Sequence, residues 1–462
     1  MADQRHFAAL SGDFNPLHMD ETAARRSVIG AAAVHGVHVV LWGLEALSKS
    51  SVCPDGFQSI DVQFRNPVLL GDDVKWEIQS ASDDEMRLRA TVGIRPVITM
   101  RLGLTKQSIV DVDDSTPVAL QPEGQAIDLA FAELEGQAGQ VPFAVDTSRF
   151  AKAFPHASSR VGASRLREFA ACSRLVGMIC PGLRSVFGRL TLKWCAQPSS
   201  GNLHFEVINC DSRFHRVEMR VHRDGMEGTI EAYSPAASRP QPTAAELAAI
   251  VAPTAFHGQR ALVVGGSRGL GELTAKLLSI GGADVVLTYA SGRDEADKVA
   301  AEIQLAGGSA MPVVYDATKP ASSQIAAFRE QPFTHLYYFA TGRISKARTK
   351  TFDAQLVAEF MQFYVYGFFD LCQSLTTQSV APLAVFYPST IYVENRPKGL
   401  TEYGMAKAAG EELVKDLPKL LPGIRVVSER LPRLATDQTL AVTPQDLPNA
   451  IDVLLPVLMS MR

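Results

Sequence analysis

The sequence predicts two architectures in one chain: an α+β module in which a helix wrapped by antiparallel strands occurs twice, then an α/β domain with a doubly wound parallel sheet. Three observations lead there. Residues 27–68 and 159–194 repeat one pattern: an apolar helical run, a CPDG or CPG turn, then alternating strands. From residue 258 onward, apolar β runs alternate with helical segments, the texture of a parallel sheet covered on both faces. The third is length, since 462 residues exceed what a single core organises.

Composition narrows the function classes. With 46% hydrophobic and 20% charged residues the chain can bury ordinary globular cores. A formal net charge of -4 carries no basic excess, which argues against a nucleic-acid partner and for small-molecule chemistry. The six cysteines show no C-x-x-C spacing, so reduced thiols are expected, with neither a disulfide framework nor a metal site. MADQRHFAALSGDFNPLH lacks the pattern of a secretory leader and no apolar run reaches the length of a membrane span. The expectation is a cytoplasmic protein with no membrane partner.

In chain order, residues 1–108 form the first block, with a polar loop, the helical run 27–47 and strands at 57–68, 72–80 and 85–94. A polar stretch over 107–142 follows. Residues 143–235 form the second block, with its helix at 159–179 and strands at 183–194, 202–210 and 215–224. Pro, Ala and Ser then mark 236–257 as an interdomain linker. The third block, 258–462, carries β runs at 260–266, 284–291, 310–318, 335–342, 383–390 and 425–431.

In the first block, SGDFNPLH sets Asp13 and His18 five residues apart among turn formers, which hold polar side chains in fixed directions. Ala33-Val34-His35-Gly36 opens the long helix and brings the Gly36 N–H to its positive end. An acid, an imidazole and a helix N-terminus are the parts needed to add water to, or remove it from, a conjugated thioester. At these residues the sequence resembles the (R)-specific enoyl-CoA hydratases, the MaoC-like family of hotdog folds, over about its first hundred residues. The resemblance implies Asp13 and His18 as catalytic residues, Asn15 as support for the loop and Gly36 as oxyanion donor. It also implies a double hotdog whose second half lends surface, since Pro155-His156 has no acid before it. His156 reads as structural.

In the third block, VVGGSRGLGE joins strand to helix with glycines at 265, 269 and 271, which let the backbone approach a pyrophosphate. Gly265, Ser267, Arg268, Gly269 and Gly271 are the candidate cradle, with Gly342 in Ala340-Thr341-Gly342 beside it. TYASGR ends the second strand without an acid for the ribose, while Arg268, Ser291 and Arg293 suit a 2′-phosphate. NADP(H) is the expected cofactor. Asp316 fits the adenine edge or a helix cap equally well. Tyr403 and Lys407, four apart on a helix, pair a phenol with an ammonium that lowers its pKa. Ser389, fourteen positions before Tyr403, is taken as the hydroxyl that orients the same oxygen, with Thr390 as the competitor.

This set resembles the short-chain dehydrogenase/reductase superfamily over 258–445, with GADVVLTYAS through AAEIQLAGG close to 3-oxoacyl-acyl-carrier-protein reductases. The implied fold is a Rossmann domain. Tyr364 stands where that family places a catalytic asparagine, which puts the usual proton relay in question. Together the resemblances imply NADPH-dependent reduction of a 3-oxoacyl thioester and dehydration of the (R)-3-hydroxy product. Two alternatives stay open: the β-oxidation direction, or one module reduced to an acyl-carrier scaffold. The implied partners are acyl-CoA or acyl carrier protein thioesters and a second copy of the chain in a homodimer.

Overall fold

The computed structural model describes every residue except 1, 55, 106–123, 196–199, 238–239, 327–330, 345–351, 378–381, 437–438 and 440–445. The first part of the polar stretch expected after the first block, residues 107–123, therefore lies outside the described residues. The chain forms two compact units, the first on Met1–Ala237 and the second on Ser238–Thr439 with Asp446–Arg462.

Nine strands of the first unit are found among the described residues: β1 Phe57–Phe64, β2 Val74–Ala81, β3 Glu85–Val92, β4 Arg95–Leu104, β5 Ala138–Val141, β6 Val186–Trp194, β7 Ser200–Asp211, β8 Arg216–Asp224 and β9 Met226–Tyr233. They make one antiparallel sheet ordered β2-β3-β4-β1-β6-β9-β8-β7-β5. Apart from the added edge strand β5, the order mirrors itself about the β1/β6 pair. The duplication read from the sequence is thus built as two copies of a four-stranded sheet joined edge to edge. At the seam Ile60 lies opposite Leu192 and Val62 opposite Leu190. All four side chains are buried, so the period-2 alternation of both strands points one continuous face at one core.

That face wraps two helices. In Gly36–Ser48, Val37, Val40, Leu41 and Leu44 recur at helical spacing and are buried. Residues 27–35, expected within this helix, are not helical: Ala33 makes a bridge to Leu69, and the helix begins only at Gly36. The second copy has helix Ala163–Arg174, prolonged by a π turn over Leu175–Ile179.

In the second unit six strands among the described residues run parallel: β10 Arg260–Val264, β11 Asp284–Tyr289, β12 Ser309–Val314, β13 His335–Tyr338, β14 Leu383–Thr390 and β15 Ile424–Leu431. Their order is β12-β11-β10-β13-β14-β15, so the winding reverses between β10 and β13 and opens a crevice at the carboxyl ends of those strands. Apolar cores cover both faces. The expected linker is shorter than its composition implied. Ala244, Leu247, Val251 and Phe256 are buried in the second unit's core, because the Ala-rich stretch is amphipathic and opens a helical turn capped by Thr243 and Glu246. Among the described residues no helix is long and apolar enough to cross a membrane.

Candidate functional sites

The first cluster forms where the loop after helix Ala2–Ser11 meets the start of helix Gly36–Ser48. Pro16 opens a short helix, Pro16–Met19, whose cap Asn15 accepts from Leu17 N at 2.9 Å. The Asn15 amide then donates to Gly177 O at 2.6 Å, with Gly182 O and Leu183 O also within 3.3 Å. The polar loop of the first copy is thereby tied to the π turn and CPG turn of the second.

Asp13 is buried, accepting from Ser173 Oγ at 2.7 Å and Asn15 N at 3.3 Å. Its carboxylate lies against Gly177, where a Cβ would fall 2.2 Å from Oδ1. Burial raises the Asp13 pKa above the usual carboxylate range, even though His18 and the Ser173 hydroxyl pull the other way. Burial likewise lowers His18, against the pull of Asp13. Its Nδ1 is 2.8 Å from Ala33 O. A carbonyl only accepts, so Nδ1 carries the proton and Nε2 keeps a basic lone pair. Gly36 heads the helix, with no side-chain cap at His35, and its hydrogen atoms face Phe64 so closely that a Cβ would lie 2.7 Å from that ring. The first N–H groups of a helix have no partner within it, so an oxyanion is a fitting occupant of this end.

His35 belongs to the same cluster and was overlooked in a motif read only for its glycine. It is fully buried and stacks on His18 with ring centroids 3.8 Å apart. Burial pushes its pKa well down. Nε2 is 2.9 Å from Asp13 O, to which it donates, and Nδ1 faces the Gln4 side-chain oxygen at 2.8 Å. Ligand atoms of Asp13, His18 and His35 lie within 4.8 Å of one another, close enough for a cation. Two of the imidazole nitrogens are already committed to backbone carbonyls.

Among its described residues the second copy presents no equivalent acid–imidazole pair. Pro155 again begins a helix, Pro155–Val161, but the preceding residue is Phe154, which is buried, where the first copy has Asn15. His156 is exposed and paired through Nδ1 with Glu45 at 2.7 Å, while Glu45 also accepts from Ala157 N at the helix start. The interior of this half holds a fully buried Arg223–Glu168 ion pair, with Trp194 Nε1 donating to Glu168 at 2.6 Å.

The second cluster lies along helix Thr401–Leu420 of the other unit. Tyr403 and Lys407 are buried on one face of it. The Lys407 ammonium donates to Pro388 O at 2.7 Å and sits 4.0 Å from the Tyr364 ring centroid and 5.0 Å from that of Tyr387. Burial lowers its pKa to about 7, opposed by Glu411 one turn further on. Burial raises the Tyr403 pKa, while a hydrogen bond with the Thr390 side chain lowers it.

That bond corrects the choice of hydroxyl. Ser389 does not address Tyr403; its Oγ donates to Glu411, whose carboxylate also grips Arg430. Adjacent strand residues leave the backbone in different directions, so only one of the two hydroxyls can meet the phenol, and it is Thr390. A spacing argument that tolerates either residue cannot separate them.

At the carboxyl end of β10, Gly265 (φ 79°) and Gly269 (φ 59°) occupy left-handed backbone that other residues rarely adopt. At Gly271 a Cβ would lie 2.1 Å from Gly265 O. The turn carries Ser267 and leads into helix Gly269–Ile280, whose N-cap Arg268 makes no side-chain cap bond. A cradle that a single Cβ would fill, facing an uncapped helix start, fits a pyrophosphate. Ser291 and Arg293 follow β11; Arg293 is exposed and 3.6 Å from Asp297. The Asp316 carboxylate closes a turn onto Thr318 N at 3.0 Å and pairs with Lys319, bonds that outweigh burial and hold its pKa down. Gly342 packs against Phe363.

Comparison with known proteins finds a match for each end of the chain. Residues 1–99 match the MaoC like domain and residues 259–445 match the short chain dehydrogenase family. The (R)-specific enoyl-CoA hydratase of Aeromonas caviae is 32% identical over 99 residues, 20% of this chain and 71% of that protein. A 3-oxoacyl-[acyl-carrier-protein] reductase of Synechocystis sp. is 48% identical over 60 residues, 13% of this chain but only 24% of that protein. A dehydrogenase/reductase structure from Sinorhizobium meliloti 1021 overlaps 46% of this chain and 90% of its own at 25% identity, with a TM-score of 0.40. The chain thus belongs to the MaoC-like family through its N-terminal domain and carries a short-chain dehydrogenase domain at its C-terminal end.

Proposed function

We propose that the chain is a two-activity acyl-thioester enzyme: the C-terminal domain reduces a 3-oxoacyl thioester and the N-terminal domain dehydrates the (R)-3-hydroxy product to the 2-enoyl thioester. The observation that carries this reading is the presence, in one chain, of a desolvated carboxylate–imidazole cluster and a phenol–ammonium helix in the same domain as a glycine cradle.

A short-chain dehydrogenase domain calls for a nicotinamide cofactor. The absence of an acid in Tyr289-Ala290-Ser291, with Arg268 and Arg293 nearby in sequence, supports NADPH and hence the reductive direction. The cradle of Gly265, Gly269 and Gly271 would hold NADPH, which when bound would supply the hydride for C3. Tyr403 gives its proton to the C3 oxygen, Thr390 orients the same atom, and Lys407 holds positive charge beside the phenol. In the other domain, one of Asp13 and His18 removes the C2 proton while the other protonates the departing C3 hydroxyl. Water leaves and a C2–C3 double bond forms. Gly36 N–H stabilises the enolate oxygen in between.

The names of the two relatives place one on an enoyl-CoA and the other on a 3-oxoacyl carrier protein, so both thioester handles remain within the proposal, as do the homodimer and the cytoplasmic location. The test is NADPH absorbance with acetoacetyl-CoA, followed by mass analysis of the thioester. Loss of NADPH with a product one water lighter than the hydroxyacyl species is expected. No NADPH loss, alongside hydration of crotonyl-CoA, overturns the reductase half.

A further inference from the structure

Tyr364 occupies the helix position where an asparagine was expected, and its surroundings give it a different task. It lies in a π turn, Gln362–Tyr366, inserted between helices Ala354–Met361 and Gly367–Thr376; such turns often mark functional positions. The side chain is fully buried, its hydroxyl is paired with the Thr341 hydroxyl, and its backbone carbonyl accepts from Tyr387 at 3.1 Å. Ring position and hydroxyl are both fixed by partners. Phe360 stacks on the ring with centroids 5.8 Å apart, and the Lys407 ammonium stands 4.0 Å from the Tyr364 centroid.

We infer that Tyr364 is a positioning residue that seats the Lys407 ammonium on its aromatic face and so holds the charge that the reaction at Tyr403 requires, in place of an asparagine-bound water. The inference rests on the proposed reductase reading.

The surroundings of Lys407 bear this out element by element. From β14 come the Tyr387 ring at 5.0 Å and the Pro388 carbonyl at 2.7 Å. Its own helix supplies Tyr403 and Glu411, and Glu411 is in turn gripped by Arg430 of β15, which divides its negative charge. A buried cation with one hydrogen-bonded carbonyl and a shared carboxylate needs further stabilisation, and two ring faces provide it. Tyr364 and Tyr403 also meet edge to face, with centroids 5.7 Å apart, so the same ring holds both members of the catalytic pair.

The test replaces position 364 with Tyr364→Phe and then with 4-fluoro- and trifluorophenylalanine, which keep the shape and weaken the ring's attraction for a cation. Reduction requires the charged ammonium, so its rate falls as pH rises through the Lys407 pKa. Tyr364→Phe is expected to leave that alkaline limb in place. The fluorinated rings move it stepwise to lower pH, by about one unit across the series. A second readout does not depend on turnover: the Cε resonance of Lys407 in 13C-lysine-labelled protein, assigned by its loss in Lys407→Arg, is expected to titrate with the same stepwise shift. A flat series in the resonance overturns the inference. So does a shift with Tyr364→Phe as large as that with the trifluorinated ring. Absence of reduction in the unmodified protein removes the reductase reading instead, and the resonance series still decides the seat.

Discussion

The two clusters are assembled in opposite ways. Around Asp13 the site crosses the repeat: Ser173 and Gly177, some 160 residues away, shape the carboxylate's surroundings, and Asn15 reaches Gly177, Gly182 and Leu183 in the same distant segment. Around Tyr403 the pair is local, two side chains one helical turn apart, completed by Thr390 and by two rings. A site of the first kind depends on how the copies pack, and one of the second on a helix and the strand beside it. Duplication also explains the asymmetry within the first unit. The second copy contributes Ser173 and Gly177 to the first copy's loop, while its own loop carries buried Phe154 and exposed His156 where the first has Asn15 and partly buried Leu17.

The largest effects should fall on the two pairs separately. Asp13→Asn or His18→Gln is expected to lower crotonyl-CoA hydration by about 10³-fold or more and leave NADPH oxidation intact, while Tyr403→Phe does the reverse. Loss of both activities with either substitution would break the division into two sites. Next, Thr390→Val should reduce the rate of reduction by about 10²-fold, whereas Ser389→Ala, which removes only a bond to Glu411, should stay within a few-fold. The opposite ranking would restore Ser389.

A subtler effect tests the crossing of the repeat. With Asp13 as the base of the pair, turnover requires its ionised form, and burial has raised its pKa, so hydration declines as pH falls through a value above the ordinary 3.8 of a carboxyl. Ser173→Ala removes a hydrogen bond that favours the ionised form; the acid limb should therefore move to higher pH, measured as kcat/KM against pH. An unmoved limb would mean that the second copy does not tune the first. Asn15→Ala is expected to cost about 1–3 kcal/mol of stability in denaturant unfolding, because it strands buried carbonyls. The smallest effect is His156→Ala, which should change hydration less than twofold, since the imidazole is exposed and paired with Glu45.

What could be read from sequence was whatever rests on local rules. Period-2 and period-3.6 patterning located β1 to β3, β6 to β8 and all six parallel strands, since apolar spacing is a one-dimensional record of which face is buried. SGDFNPLH, the glycine turn and the four-residue interval from Tyr403 to Lys407 stood out because each needs particular residue types at short separation. Composition alone misread 244–257 as a linker, for Ala and Pro do not reveal an amphipathic turn that finds a core. The choice between Ser389 and Thr390 needed the direction in which each side chain leaves the strand. Ser173, Gly177 and the contact of Gln4 with His35 needed the fold itself. These contacts join segments that only packing brings together, and burial, which sets the pKa of Asp13, His18 and Lys407, is a property of neighbours in space and not of neighbours in sequence.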